Sequence, residues 1–287
     1  HDYANAKTYI DMVLNSGQYE LESDFKYVWS ENNKYGKEMI FALLHETGNN
    51  AAEIACHFGP SDHPEVPGRW QYYGVSLPFW RSYDKEDPRR EFFYYDYTGD
   101  AKRDDQSDYG FHYMVPEEGV TVVPNDTTKY MQNVATMKYT YDMISDAYYD
   151  GRTICIFRLS DVILCKAEIE NNLNGPAAAL PYLNQIRARA GAPEYGKHNR
   201  FPAPSTKETM NDAILKERGY ELVFEFQRRA DLIRFGKYEE VVNAHLKKLG
   251  IAQPTNVTSS LRYFPYPLND AQLNPNLAAE NPSRLPK

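Results

Sequence analysis

Between residues 211 and 236 the chain reads NDAILKERGYELVFEFQRRADLIRFG, and it puts more charge on one helical face than a core tolerates unpaired. The spacing predicts a single helix here: Glu217, Glu221, Phe224, Arg228 and Asp231 recur at steps of four, three, four and three. Leu215, Leu222, Phe226 and Ile233 make a second, apolar stripe. Ser205 stands where a cap belongs, with Glu208 three residues on, and Gly236 where a helix stops. Charges on an inward face must find partners, because an unpaired buried charge costs more than its burial returns.

Two readings compete for those charges. One is a carboxylate cluster, with Glu217, Glu221 and Asp231 as metal ligands or a general acid/base pair. The other is a structural ion-pair network. The acids Glu217, Glu221, Glu225 and Asp231 are matched by Arg218, Arg228, Arg229 and Arg234, four against four. A divalent cation wants an anionic excess, whereas Arg is the base best suited to bidentate carboxylate pairing. The expectation is therefore a network serving as scaffold, with Arg187 of a neighbouring helix included.

The run E-R-x-x-E-L-x-x-E-x-x-R-x-x-D-L-x-R is similar to the signature of the SusD/RagB family, outer-membrane nutrient-binding lipoproteins best known for glycan uptake. The resemblance extends to FRLSDVILCKAEIENNLNG and to LPYLNQIRARAGAP, with Asn184, Arg187, Arg189, Ala190 and Gly191 in place. It returns near the end, where Asn274, Pro275, Asn276, Leu277, Asn281 and Pro282 match. Phe226 departs from the usual Gly, Glu280 from Gln, and Ser283-Arg284 from Gly-Tyr. The resemblance implies a mainly α fold of tetratricopeptide-like helix pairs, with a large irregular loop region carrying short strands. On that reading residues 1–287 are one SusD-like domain. Residues 1–25, 153–191 and 205–240 supply its helical scaffold, and residues 46–150 its loop-rich ligand-binding region.

Residues 2–16 read as an amphipathic helix, with Ala6, Ile10, Val13 and Leu14 at helical spacing and Asn15-Ser16-Gly17 as its end. In the family this resembles the second helix of a pair, so its mate is expected before residue 1, cleaved away or on a separate polypeptide. Residues 38–45, EMIFALLH, suit a strand or a buried helical turn. EFFYYDY, TVVP, MKYTY and ICIFRL suit short strands. Ser160 is placed to cap a helix through Asn171; Pro176 opens the next, which runs to Gly191. After Ile251 the Pro- and Asn-rich tail is expected to lie extended.

A net charge of −8 argues against a nucleic-acid surface, and no run of about 20 apolar residues offers a membrane-spanning helix. Cys155 and Cys165 lie in apolar surroundings and read as buried thiols; Cys56 lies among polar residues, where it can react or pair. GxSxG, HExxH, Walker A and GxGxxG are absent, and the His residues are scattered without partner spacing. Neither an enzyme, a metal nor a cofactor is expected.

The chain has an unusual stock of 24 Tyr, a residue enriched where proteins bind but also one that lines half-buried strands and helix interfaces, so composition leaves both readings open. A sugar offers an apolar C–H face to an aromatic ring, and hydroxyls at its rim to amides, carboxylates and guanidinium groups. The residues expected to bind ligand are Arg69, Trp70, Tyr72 and Tyr73, with Asn49, Asn50 and His63 beside them. Trp70 is expected at the surface and Trp80, in LPFW, in the core; Trp29 is undecided. Family binding residues vary in position, so these rest on chemistry alone.

The expected function is non-enzymatic capture of oligosaccharide or polysaccharide and its delivery to a SusC-like TonB-dependent transporter. The protein would then be a surface-exposed lipoprotein of the outer membrane, held by a lipid anchor outside this chain. The alternatives are a peptide receptor of the RagB type and a helical-repeat interaction scaffold.

Overall fold

The computed structural model describes residues 2–46, 53–60, 62–66, 69–99, 110–120, 127–142, 151–249 and 257–280. Asn49, Asn50, the TVVP segment and the residues from Asn281 onward therefore lie outside the described residues. The chain divides into two compact units, His1–Glu225 and Phe226–Lys287.

The first unit is built on helices. Helix α1 (Tyr3–Leu14) is capped by Asp2, whose carboxylate accepts from Asn5 N at 3.1 Å. Strand β1 (Met39–Leu43) pairs antiparallel with a strand far along the chain, and the segment between them holds α2 (Ile54–Phe58), β2 (Val75–Ser76), α3 (Leu77–Trp80) and β3 (Phe93–Tyr94). Four more strands follow: β4 (Asp96–Thr98), β5 (His112–Met114), β6 (Thr128–Tyr130) and β7 (Asn133–Thr136). Strand β8 (Ile154–Arg158) closes against β1 and runs directly into α4 (Leu159–Asn174). Gly175, at φ 91°, takes the left-handed turn that lets Pro176 open α5 (Pro176–Arg189), which doubles back on α4. Helix α6 (Lys207–Glu221) packs on both, and α1 on α4.

The small sheets are ordered β2-β7-β3, all antiparallel, and β4-β5-β6, in which β5 and β6 run parallel. The unit has two larger apolar clusters among the described residues. One gathers Phe25, Trp29, Ile54, Phe58, Phe92 and Tyr139; the other gathers Leu77, Trp80, Tyr83, Phe93, Val134 and Tyr220.

Several sequence expectations change. The helix foreseen over residues 211–236 is two: α6 ends at Glu221, and α7 (Arg228–Arg234) belongs to the second unit. The reason lies in its carbonyls. A continuing helix would give the Glu221 and Phe224 oxygens to amides four residues on. Instead Glu221 O accepts from Lys138 Nζ and Arg158 Nη2, both at 2.9 Å, and Phe224 O accepts from Tyr139 Oη at 2.7 Å. Residues 222–226 turn, with Phe224 and Phe226 in the left-handed region at φ 61° and 65°, a conformation that Gly adopts more readily than Phe. The start of α6 is capped by Thr206 in a reciprocal pair with Thr209, rather than by Ser205. Helix α4 begins at Leu159, and the Ser160 hydroxyl bonds Glu38 at 3.2 Å instead of capping. MKYTY forms a turn and no strand.

The charges foreseen as a self-neutralising helix are answered from elsewhere in the chain. Arg158, at the β8–α4 junction, places Nη1 2.5 Å from Glu38 and 2.7 Å from Glu221, and Nε 2.7 Å from Glu225. Arg89 reaches Glu217 at 2.7 Å, Glu221 at 2.9 Å and Asp87 at 2.8 Å. Arg187 meets Glu217 at 2.7 Å; Arg189 bridges Glu38 and Glu221; Lys138 meets Glu225 at 2.6 Å. Arg218 turns away to Asp161, at 2.7 Å. Thus Asp87, Glu38, Glu217, Glu221 and Glu225 face Arg89, Lys138, Arg158, Arg187 and Arg189, five against five among the described residues.

In the second unit, α7 precedes α8 (Tyr238–Lys248), and Asp231 is held by Arg234 of its own helix at 3.0 Å. The Arg262 guanidinium grips Glu239 at 2.6 Å, and Arg229 lies 4.7 Å from the Phe264 ring. Beyond it the tail is not extended: it forms α9 (Leu268–Leu273) and α10 (Pro275–Glu280).

Burial alone would raise the Glu221 carboxyl, but the guanidinium groups of Arg189, Arg158 and Arg89 outweigh it and hold the group well below the usual carboxylate range. Glu225 is lowered likewise, against its burial, by Arg158 and Lys138. Carboxyls depressed in the folded state contribute stability that is present above their unfolded value, near pH 4.3, and lost as pH falls through the folded value. Melting followed by circular dichroism should hold from pH 7 to about 5 and drop steeply below about 4. Glu221→Gln, which strands three guanidinium groups, should cost about 3–5 kcal/mol at pH 7 and flatten the acid drop.

Candidate functional site

The site begins with α2. Ile54 and Phe58, one helical turn apart, bury against the core, and Ala55 and Cys56 go in with them. Cys56 is thus no loop thiol: it is 0% exposed, with the Arg69 Nη1 at 3.6 Å from its sulfur. The face left outward carries His57, whose side chain is 31% exposed.

Onto the end of α2 the following segment is laid by main-chain hydrogen bonds. Trp70 N donates to Cys56 O at 2.8 Å, and Tyr73 N to His57 O at 3.1 Å. Between them Gln71 takes φ 48°, and its side-chain amide donates to Asn133 Oδ1, at the start of β7, at 3.0 Å. That same Asn133 packs on Gly74, where a Cβ would stand 2.1 Å from Oδ1, so a side chain at 74 would displace the Asn133 amide.

The result is a cluster of rings around His57. Trp70 lies 5.3 Å from it, Tyr72 5.4 Å and Tyr73 6.3 Å between ring centroids; Trp70 and Tyr72 are 5.3 Å apart and tilted by 34°. Phe58 supports Tyr73 from below at 5.2 Å. Trp70, Tyr72 and Tyr73 are 37%, 66% and 56% exposed, so the array faces solvent. Scattered single rings are common at a surface, whereas three together, fixed by main-chain hydrogen bonds, make a contiguous aromatic surface.

The other residues singled out from sequence fall differently. Arg69 is 5% exposed and turned inward on Cys56, so it is not a rim group. His63 is buried between Tyr94 and Tyr97, 4.8 Å from each ring. Its Nδ1 accepts from Glu65 N at 3.2 Å, and burial pulls its pKa down. Asn49 and Asn50 lie outside the described residues. Trp80 is in the core, covered by the Arg90 guanidinium at 4.0 Å, and Trp29 is buried too. Glu217, Glu221, Glu225 and Arg187 are buried in the network, and Arg218 is buried beside it. Among the described residues no group of three or more His, Cys, Asp or Glu is placed to hold a metal, and no helix is long and apolar enough to cross a membrane.

His57 was not legible as a partner of these rings. The signal that would have found it is the Ile54–Phe58 spacing, which marks a short helix and leaves position 57 outward.

The loops that display these rings are carried on a frame of α4, α5 and α6 packed on one another. The profile of the SusD family matches residues 37–283, and the chain belongs to that family. It is similar to SusD-like protein P38 of Formosa agariphila, 25% identical over 264 residues, covering 84% of this chain and 50% of that one. With the starch-binding protein SusD of Bacteroides thetaiotaomicron it shares 28% identity over 137 residues, 47% of this chain and 22% of the other. Among solved structures it superposes on surface glycan-binding protein A of Bacteroides thetaiotaomicron in complex with laminarihexaose. The TM-score is 0.65 at 22% identity, over 94% of this chain and 57% of that one. That likeness concerns the fold. The chain spans about half the length of the relatives it matches most fully.

Of the three Trp, only Trp70 is open to solvent. Acrylamide quenching of intrinsic fluorescence should therefore resolve one accessible and two protected indoles, and Trp70→Phe should remove the accessible fraction without shifting the melting temperature.

Proposed function

We propose that this protein is a non-enzymatic surface receptor that binds an oligosaccharide on the Trp70–Tyr72–Tyr73 array and passes it to a SusC-like TonB-dependent transporter in the outer membrane. The observation that carries the reading is the exposed, pre-positioned array itself. Three rings cost apolar exposure in the free protein, and a ligand with an apolar face recovers it. A sugar ring supplies that face while keeping its hydroxyls at the edge for hydrogen bonds. Supporting the choice of ligand, one relative is named for starch binding and another was solved with laminarihexaose.

Residues 46–150 then serve as the ligand-binding region, and the buried charge network as its frame. Each ring contributes modestly, so affinity is moderate for one sugar and grows along a chain of them. In this role no bond is made or broken. The array offers shape, and the transporter supplies the direction.

Calorimetry against a panel of neutral glycans tests this. The best ligand should lose about tenfold in affinity with Trp70→Ala, the equivalent of about 1.4 kcal/mol, at unchanged melting temperature. Unchanged binding removes the site, product formation on incubation points to an enzyme, and tight peptide binding without glycan binding favours the peptide receptor.

A further inference from the structure

At the edge of the array stands a pair of polar groups that the stacking reading leaves idle. Nδ1 of His57 is buried and meets no hydrogen-bond partner among the described residues. A buried N–H without an acceptor is unfavourable, so in the uncharged ring the proton belongs on Nε2. Nε2 points to the carboxylate of Glu53, the residue that precedes α2, at 3.6 Å. That separation is too long for a direct hydrogen bond. Both side chains are partly open to solvent, His57 at 31% and Glu53 at 41%.

We propose that His57 and Glu53 form a hydroxyl-reading clamp on the rim of the aromatic array, selective for uncharged sugars. A hydroxyl is both donor and acceptor. Its oxygen, about 2.8 Å from each group, accepts from His57 Nε2–H and donates its own proton to the Glu53 carboxylate. Neither group alone asks for that combination; the pair does. His57 is also in contact with Trp70 and Tyr72, so the hydroxyl it reads belongs to the sugar stacked on those rings. The specificity follows from the charge at the rim. A uronic acid or a sulfated sugar brings an anion against Glu53, which a neutral hexose does not. The ring under the rim is held by α2 and by the bonds of Trp70 N and Tyr73 N, so the clamp is set before the ligand binds.

The proposal rests on the receptor reading, and the experiment separates the two. Laminarihexaose, maltohexaose, cellohexaose, mannohexaose and oligogalacturonate are titrated into the full chain and into His57→Phe, Glu53→Ala, the double variant and Trp70→Ala. His57→Phe keeps a ring in place and removes a buried unpaired nitrogen, so its melting temperature should hold. For the tightest neutral ligand, each single variant should weaken binding about five- to tenfold, a hydrogen-bond-sized effect. The double variant should be no more than about twofold weaker than either, because both groups read one hydroxyl. Oligogalacturonate should bind more weakly than the neutral ligand. If Trp70→Ala weakens binding while the other two variants leave it unchanged, or if their effects add, the clamp is wrong and the receptor stands. Tighter binding of oligogalacturonate overturns the clamp as well. No binding of any of the five overturns both.

Discussion

Arg158 has no exposure at all, and a guanidinium in that position has to be answered by carboxylates wherever the chain can supply them. Here they come from Glu38, Glu221 and Glu225, which belong to the entry of β1, the end of α6 and the turn beyond it. Arg89 and Arg189 share Glu221, and Lys138 shares Glu225. Burial, with Arg158 close by, brings the Lys138 ammonium down to about 8 against the pull of Glu225. Such a network adds little over an equally packed apolar core. Its strength is geometric, since moving one charge strands several others.

That geometry reaches the exposed aromatic array through a short chain of contacts. The cations that take the Glu221 carbonyl end α6, and the turn that follows presents Phe224. Phe224 lies 5.0 Å from the ring of Phe58 and Tyr139 lies 5.1 Å from it, so α2 is seated on the turn. One residue before Phe58 is His57, the hub of the exposed rings. Frame and array are therefore different in kind, one built of compensated charge and the other of uncovered aromatic faces, and they are joined through the buried ring of Phe58.

How much of this was legible depended on the range of the interaction. Local signals carried well: Gly175 and Pro176 marked the α4–α5 junction, and the LPFW run put Trp80 inside. The charge balance within residues 217–234 suggested a network, but its members were hidden, because Arg89 lies 132 residues from Glu221 and Arg158 lies 63. A helix broken by side chains reaching its carbonyls leaves no mark in its own periodicity. Arg69 and His63 looked like rim groups in a polar stretch; the fold turned Arg69 onto Cys56 and closed His63 between two Tyr rings. The array was half visible for the same reason, since Trp70, Tyr72 and Tyr73 are neighbours in sequence whereas His57 joins them only through backbone pairing.

In the proposed function, compensated charge shapes the molecule and uncovered rings recognise the ligand. Hydroxyl-radical footprinting with and without a bound glycan addresses it directly, reading oxidation of each aromatic side chain by mass spectrometry. The account predicts protection at Trp70, Tyr72 and Tyr73, with other exposed rings such as Tyr9 and Tyr35 unchanged. Protection of those distant rings, with Trp70, Tyr72 and Tyr73 oxidised as before, would contradict it.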